Sequence, residues 1–180
     1  MRPNILLITT HDLGKHLPIY GRRSVVAPAI EALSDEGITF DQSFCTAPQC
    51  SPPRASLFTG RYPHNNGVMG LTHATFAWDL NPDEQHLAGY LRDAGYHTIG
   101  VGVVHEGRQD PTSWGYEQYH PAHWGDEVAD VALDRLAALE ANPPDGPFYL
   151  YAGFIEPHRL PLAESDPPHE HGFLHPEADY

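Results

Sequence analysis

The sequence predicts an α/β fold with a mainly parallel sheet and helices on both faces. Short apolar runs, typical of buried strands, alternate along the 180 residues with segments that carry helix-starting and helix-ending residues. Polar residues follow several of the apolar runs, as expected at the carboxyl ends of parallel strands. We therefore expect these polar residues to lie along one edge of the sheet: His11, Asp12, the loop at Cys50, His105 and His158.

Four apolar runs are predicted to be strands: residues 4–10, 38–44, 97–104 and 147–155. The first run is continuously apolar and ends in threonines, as in a parallel strand that is buried on both faces. The second is predicted from the alternation of its apolar residues. Because helical segments separate these runs, the strands are expected to pair in parallel.

Helices are predicted where a start signal precedes apolar residues. One begins at Pro28, a favoured residue of the first turn, and ends at Gly37. A short helix is predicted over residues 55–59, directly after a proline-rich loop. An amphipathic helix is predicted over residues 128–139.

The clearest predicted helix covers residues 82–94. Asn81 is the expected N-cap, Pro82 occupies the first position, and Glu84 has the spacing of a capping box. Gly95 follows the last helical residue and is expected to end the helix. The inner face is expected to carry the apolar residues Leu87, Tyr90, Leu91 and Ala94.

The composition excludes several classes of protein. Acidic residues outnumber basic ones by 24 to 10, so the formal charge of -14 disfavours binding to nucleic acid. No apolar run approaches the roughly 18 residues that span a bilayer, so no membrane association is expected. The start of the chain lacks the pattern of a secretory signal, and its two cysteines cannot form a disulfide framework. A cytoplasmic location is therefore expected, or a secreted or periplasmic one if the N-terminus was trimmed.

The loop at Cys50 places a thiol at the expected mouth of a short helix. A helix N-terminus offers free N–H groups and partial positive charge, which favour a bound anion. Arg54 lies in the same loop, and its guanidinium adds a bidentate donor for a tetrahedral oxyanion. On these residues alone two interpretations stay open: an anion site beside a reactive thiol, and a proline-rich turn that buries a cysteine.

The wider segment resembles the signature of the type I sulfatases, which depend on formylglycine and belong to the alkaline phosphatase-like superfamily. The pattern Cys50-x-Pro52-x-Arg54 is followed at the family's spacing by Thr59-Gly60. This resemblance implies an alkaline phosphatase-like fold. It also implies that a formylglycine-generating maturation enzyme oxidises Cys50 to Cα-formylglycine, and that Arg54 neutralises charge on the sulfate.

The start of the chain also resembles the family. Residues 2–8 are similar to its first strand, which leads to a pair of aspartates that bind a divalent cation, and here the pair is His11-Asp12. The resemblance implies that Asp12, together with His11 and the modified Cys50, holds a divalent cation, with Ca²⁺ as the first expectation. Because calcium prefers oxygen ligands, the imidazole of His11 also allows Mg²⁺ or another divalent ion.

Two further segments resemble family motifs that carry catalytic histidines. The segment from Gly102 to His105 resembles a Gly-Lys-x-His motif, in which Val103 stands at the position of a sulfate-binding lysine. This implies that His105 meets the nucleophile. His158 follows a proline, as in a family Pro-His pair, which implies that His158 protonates the leaving oxygen.

Taken together, these motifs imply a sulfuric ester hydrolase that acts on a sulfated small molecule or carbohydrate. One hydroxyl of a hydrated formylglycine would attack sulfur, and the second would later expel sulfate. Two alternatives remain open. One is a phosphonate or phosphate monoester hydrolase of the same superfamily, and the other is a catalytically incomplete fragment, which Val103 and His11 favour.

The expected domain division follows from the same resemblance. Residues 1–160 are predicted to form the amino-terminal part of the catalytic domain, and residues 161–180 a proline- and histidine-rich loop or a truncated end. The family's remaining metal ligands and a second lysine are expected further downstream. We therefore expect these residues to hold most of a nucleophile site and part of a metal site.

Overall fold

The computed structural model describes residues 2–158 of the chain. These residues divide into two compact units. The first unit consists of residues 2–9 and 45–155 and contains the sheet, and the second consists of residues 10–44 and 156–158. No helix within residues 2–158 combines the length and the apolar character that crossing a lipid bilayer requires.

The sheet of the first unit has four strands, and every neighbouring pair is parallel. In the spatial order β1-β4-β2-β3 they are β1 (Ile5–Thr9), β4 (Phe148–Gly153), β2 (His97–Gly102) and β3 (Gln118–His120). Thr9, Gly153 and Gly102 lie in register at the carboxyl ends of three adjacent strands. Residues that follow β2 therefore leave the sheet at the edge where β1 and β4 also end.

The described residues contain five α-helices. They are α1 (Pro28–Glu36) in the second unit and α2 (Ser51–Thr59), α3 (Pro63–Asn66), α4 (Leu87–Asp93) and α5 (Gly125–Ala141) in the first. Short 3-10 helices occupy Pro18–Tyr20 and Pro111–Trp114. The first turns of α1, α2 and α3 contain proline. Proline lacks an N–H, but the N–H groups of a first turn have no partner within the helix, so no helical hydrogen bond is lost.

Alternate residues of the strands build apolar layers on the two faces of the sheet. Tyr151 of β4 belongs to one layer, with Phe58 of α2 and Ala88 of α4. Its neighbour Leu150 belongs to the opposite layer, with Val128 of α5. Successive strand residues point to opposite faces, so both faces of β4 are covered by helices. The predicted α/β fold with a parallel sheet and helices on both faces is confirmed.

The strand predictions are correct for three runs and wrong for one. β1, β2 and β4 fall within the predicted runs. Residues 38–44 form no strand, and Ile38, Phe40 and Phe44 are 83%, 69% and 88% exposed. Alternation favours a strand only when a neighbouring strand completes its hydrogen bonds, and no strand among residues 2–158 pairs with this segment. The strand β3 is not predicted from the sequence, because three residues are too few to show an alternation.

The clearest predicted helix begins later than expected, at Leu87. His86 is its N-cap, and the Nδ1 atom of His86 accepts the N–H of Ala88 at 3.1 Å. On the predicted inner face, Leu87 and Leu91 do pack against buried residues. Tyr90, which was also expected on this face, is 55% exposed. The predicted start and part of the predicted face are therefore wrong.

The residues expected to cap this helix make tertiary contacts instead. Glu84 forms an ion pair with Arg61 at 2.6 Å, and the side chain of Asn81 donates to the carbonyl of Asn65 at 2.9 Å. These contacts compete with a capping box for the same side chains. Of the other predicted helices, α1 has the predicted bounds, whereas α2 starts before residue 55 and α5 extends beyond both ends of its predicted range.

The predicted proline- and histidine-rich loop over residues 161–180 lies outside the described residues. The division of the chain into residues 1–160 and 161–180 stays a prediction.

Candidate active site

Cys50 immediately precedes α2, and its backbone already has helical angles of φ -69° and ψ -48°. Pro52 and Pro53 occupy the second and third positions of the helix, and neither carries an N–H. This helix end therefore offers fewer free amide donors than a regular N-terminus. The anion affinity expected from the helix end alone is reduced, so the guanidinium of Arg54 matters more.

The start of α2 is tied to a loop that follows α3. Ser51 is fully buried, and its Oγ accepts the N–H of Thr72 at 3.3 Å. The Oγ of Ser51 also lies 3.4 Å from the Oγ1 of Thr72 and 3.9 Å from the Sγ of Cys50. The backbone next to residue 50 is therefore held by contacts from outside its own helix.

Arg54 is fixed by hydroxyl groups at the carboxyl ends of β1 and β4. It is 7% exposed, and its Nη1 donates to the hydroxyl of Tyr151 at 2.7 Å and to the Oγ1 of Thr9 at 3.2 Å. Tyr151 donates its proton to the carbonyl of Val103 at 2.8 Å. The hydroxyls of Thr9 and Tyr151 are 3.0 Å apart. Because the proton of Tyr151 goes to Val103, the hydroxyl of Thr9 is the donor between these two.

Burial keeps the hydroxyl of Tyr151 neutral. It raises the pKa of Tyr151 to about 12, although the nearby positive charge of Arg54 acts in the opposite direction. At neutral pH the hydroxyl is therefore protonated, and it accepts from Arg54 while it donates to Val103. A neutral hydroxyl orients the guanidinium and leaves its positive charge uncompensated. A carboxylate in the same place would neutralise that charge.

His105 lies beyond the end of β2 and is half-buried. One of its ring nitrogens lies within 4.8 Å of the Sγ of Cys50. The ring of the exposed His73 has its centroid 5.8 Å from that of His105. The backbone N–H of His105 donates to the Oε2 of Glu106 at 2.8 Å. The imidazole is therefore close enough to act on a group carried by residue 50.

Val103 stands where the resemblance expects a sulfate-binding lysine, and it is 6% exposed. Its N–H donates to the carbonyl of Gly153 at 2.8 Å, and its own carbonyl accepts from Tyr151. The backbone of this position is thus part of the polar network around Arg54. Its side chain contributes apolar packing rather than positive charge.

In the second unit, His11, Asp12 and His158 lie together. The Oδ2 of Asp12 is 3.1 Å from the Nδ1 of His158, and the rings of His11 and His158 are stacked with centroids 5.5 Å apart. The N–H of His11 donates to the carbonyl of Glu156 at 3.2 Å. The residue expected to bind a cation is therefore in direct contact with the residue expected to protonate the leaving group.

Asp12 adopts an unusual backbone conformation, with a φ of 52°. Residues other than glycine seldom enter this left-handed region, although aspartate tolerates it better than most. Such strain is concentrated at functional positions. The side chain of Asp12 is 59% exposed, so its carboxylate remains accessible to a ligand.

The predicted site residues fall into two groups, one in each unit: Cys50, Arg54 and His105, and His11, Asp12 and His158. The structure brings the members of each group together, and the expectation that all of them share one edge of the sheet stays a prediction. Thr9 and Tyr151 are not among the site residues that the sequence predicts. Both lie in apolar runs that resemble core strands, and the signal available was a hydroxyl near the carboxyl end of each strand.

Comparison with known proteins identifies the family. The sequence model of the family described as Sulfatase matches residues 3–178. The chain belongs to the sulfatase family. Steryl-sulfatase from Homo sapiens is 33% identical over 169 residues, in an alignment that covers 89% of this chain and 28% of that protein. The expected family membership is confirmed.

Solved structures of other proteins have a similar fold. The crystal structure of Ps i-CgsB in complex with k-i-k-neocarrahexaose has a TM-score of 0.77 and 22% identity, and the match covers 93% of this chain and 48% of that chain. The phosphonate monoester hydrolase of Agrobacterium radiobacter has a TM-score of 0.68 and 21% identity, with 87% and 41% covered. These similarities confirm the alkaline phosphatase-like fold. The chain spans less than half of each of these proteins and of steryl-sulfatase.

Proposed function

We propose that the protein hydrolyses a sulfate ester, with residue 50 as the nucleophile. The observation that supports this most strongly is the grouping of Cys50, Arg54 and His105 in the first unit of a sulfatase-family chain. Such a hydrolysis needs a nucleophile, a group that moves its proton, and positive charge for the anion. These three residues offer one of each.

Arg54 is proposed to bind the sulfate group. Its planar guanidinium matches two oxygens of a tetrahedral anion. Because Tyr151 and Thr9 already hold it, little side-chain freedom is lost when the anion binds. The formal charge of the chain is -14, so this buried cation would create a local positive site within an acidic protein.

Cys50 is proposed to act as Cα-formylglycine. In its hydrated form this residue supplies two hydroxyl groups on one carbon, one for attack on sulfur and one for the later release of sulfate. His105 is proposed to orient the side chain at position 50 and to accept its proton, since a ring nitrogen lies within 4.8 Å of the Sγ. The overall reaction consumes one water and yields an alcohol and sulfate.

The donors of Asp12 and His11 fit a divalent cation. Asp12 offers an exposed carboxylate oxygen, and His11 offers a ring nitrogen, which Mg²⁺ and Ca²⁺ favour less than transition-metal ions do. A bound divalent cation would supply positive charge against the sulfate oxygens. The identity of the cation, with Ca²⁺ as first expectation, is part of the proposal, and so is the further ligand role of Cys50.

His158 is proposed to protonate the leaving oxygen. Its Nδ1 faces the carboxylate of Asp12 at 3.1 Å, which leaves its other ring nitrogen for proton transfer. The substrate is proposed to be a sulfated small molecule or carbohydrate. The similarity to steryl-sulfatase supports the first class, and the similarity to N-sulphoglucosamine sulphohydrolase from Homo sapiens, at 29% identity over 160 residues, supports the second.

The decisive experiment concerns the side chain at position 50. After co-expression with a formylglycine-generating enzyme, the mass of the peptide that contains Cys50 should show conversion of the thiol to an aldehyde. Hydrolysis of aryl and carbohydrate sulfates should fall to background in Cys50→Ala, because the nucleophile is lost. The matched control is Cys45→Ala, which removes an exposed cysteine and should retain full turnover. A thiol that stays unmodified, or sulfatase activity that survives in Cys50→Ala, would contradict the proposal.

The same assay distinguishes the proposed sulfatase from the main alternative, a phosphonate hydrolase. The structural similarity to a phosphonate monoester hydrolase shows the fold alone. When both substrates are assayed side by side, an aryl sulfate should be hydrolysed faster than an aryl phosphonate. A protein that cleaves the phosphonate and leaves both kinds of sulfate intact would be a phosphonate hydrolase instead.

A further inference from the structure

A buried pair of polar side chains, His86 and Glu106, has no part in the proposed chemistry. The Nε2 of His86 is 3.3 Å from the Oε1 of Glu106, and the two side chains are only 1% and 0% exposed. Burying a carboxylate and an imidazole is costly, and an apolar pair of similar volume often stabilises a core as well or better. The contacts of this pair therefore call for a role other than stability.

The hydrogen bonds of His86 fix which nitrogen carries the proton. Its Nδ1 accepts the backbone N–H of Ala88 at 3.1 Å, so this nitrogen is unprotonated. The ring proton is thereby assigned to Nε2, which donates to the Oε1 of Glu106. The pair has one defined arrangement, because a proton on Nδ1 instead of Nε2 would place two N–H donors against each other at Ala88.

The second oxygen of Glu106 holds the backbone of His105. Its Oε2 accepts the N–H of His105 at 2.8 Å, which is a short, charge-assisted type of contact for a carboxylate. One carboxylate thus joins His86 on one side to His105 on the other. Any change in the position of His86 is transmitted to the residue proposed to act on the nucleophile.

His86 is also packed against the helix that follows the nucleophile. Its ring is stacked on Phe58 of α2 with centroids 4.7 Å apart, and on Trp114 with centroids 5.6 Å apart. Phe58 in turn meets Tyr151 edge-on at 5.2 Å. His86 therefore contacts α2 through its ring face and the His105 segment through its ring edge.

We propose that His86 and Glu106 are positioning residues that fix His105 relative to α2, and thereby relative to the nucleophile at its start. This inference rests on the proposed function, since it gives the pair a purpose only if His105 acts on residue 50. Neither residue touches the reacting atoms. Their contribution is the orientation of a catalytic group, to which turnover is sensitive at the scale of about 1 Å.

The test uses two single variants of the whole protein, the double variant that combines them, and one control. Glu106→Gln replaces one acceptor oxygen by an amide, and His86→Asn removes the Nε2 donor while keeping an acceptor that suits a helix N-cap. The control, Glu84→Gln, alters a carboxylate that is 3% exposed and paired with Arg61 at 2.6 Å, without contact to His105. Urea unfolding first establishes that each variant folds cooperatively, and Glu106→Gln is the milder of the two because it keeps the shape of the side chain, whereas His86→Asn removes a buried ring that stacks on Phe58 and Trp114.

Two readouts follow for each variant. With 4-nitrophenyl sulfate and a carbohydrate sulfate, kcat should fall by about 10- to 100-fold with KM changed less than about 3-fold, because orientation and not binding is lost. Hydrogen exchange at the amide of His105 should accelerate by about tenfold or more in Glu106→Gln. The losses in kcat should not add in the double variant, because both changes disable one unit.

The outcomes distinguish this inference from the proposed function. An inactive wild type would count against the proposed function, and the exchange rate of the His105 amide would still decide whether the pair holds that residue. An active wild type, with unchanged kcat and unchanged His105 exchange in both variants, would overturn the inference. So would an equal loss of kcat in the Glu84→Gln control, because the effect would then follow from lost stability alone.

Discussion

A single hydroxyl group joins the parts of the candidate anion site, and removing it tests how they cooperate. In Tyr151→Phe the guanidinium of Arg54 loses the hydroxyl that it contacts at 2.7 Å, and the carbonyl of Val103 loses a donor. Leaving such buried groups unsatisfied should lower the free energy of unfolding by about 1–3 kcal/mol. The KM for a sulfate ester should rise by up to about tenfold, since a mobile guanidinium binds the anion less well.

Urea unfolding and initial-rate kinetics measure these two effects. The control is Tyr20→Phe, which removes an exposed hydroxyl that donates to the carbonyl of Phe40 at 3.2 Å. It should change stability by less than about 0.5 kcal/mol. If Tyr151→Phe matched this control in both stability and KM, the hydroxyl network would have no part in holding Arg54.

At the same scale, the residues that sequence reasoning could find are those with unusual chemistry in a motif. Cys50 and Arg54 stand in such a motif, and His105 follows a strand. Tyr151 could not be found in this way, because a tyrosine in an apolar run has the pattern of a core residue. Its function depends on partners from three separate segments, and only the folded chain brings those together.

At the scale of elements, the junction between β2 and β4 depends on a glycine. Gly102 has a φ of +82°, and a Cβ there would lie 2.3 Å from the carbonyl oxygen of Gly153 in the adjacent strand. The left-handed conformation alone costs a residue with a Cβ about 1–2 kcal/mol, so Gly102→Ala should lower the free energy of unfolding by more than that. His105 lies just beyond this junction, so activity should fall together with stability.

Gly60→Ala is the matched control for this substitution. Gly60 also has a positive φ, of +67°, but no atom lies within 4 Å of the position of its Cβ. The substitution Gly60→Ala should lower the free energy of unfolding by about 1–2 kcal/mol. If urea unfolding gave equal losses of stability for the two variants, the close approach of β2 and β4 would not be the reason that position 102 requires glycine.

The bounds of the elements were predictable where local signals act alone and unpredictable where tertiary contacts compete. Pro28 and Gly37 bound α1 as predicted. The start of α4 was misplaced because Glu84 binds Arg61 while His86 takes over the cap. A sequence pattern contains the capping residues but not the partners that occupy them.

At the scale of the whole molecule, buried tyrosines predict a loss of stability in alkali. Burial raises the pKa values of Tyr119 and Tyr151 to about 12, and those of Tyr116 and Tyr149 well above the usual 10.0. The folded state therefore favours the protonated hydroxyls. This stabilisation is fully present below pH 10, and it is lost as the pH rises from 10 through the folded pKa values.

Tyrosinate absorbance as a function of pH checks this prediction. The four buried tyrosines should ionise only at pH values above 10, together with unfolding. The urea midpoint should fall progressively above pH 10. If all nine tyrosines ionised in one step near pH 10 in the folded protein, burial of these hydroxyls would be disproved.

The edge position of β1 has a consequence for handling the protein. Within residues 2–158, β1 pairs with β4 alone, and its Leu6 and Ile8 remain 47% and 56% exposed. An open strand edge beside exposed aliphatic side chains is a template for association between chains. A preparation limited to these residues is therefore expected to lose solubility as its concentration rises, and a polar side chain at position 6 or 8 is the substitution to counter that.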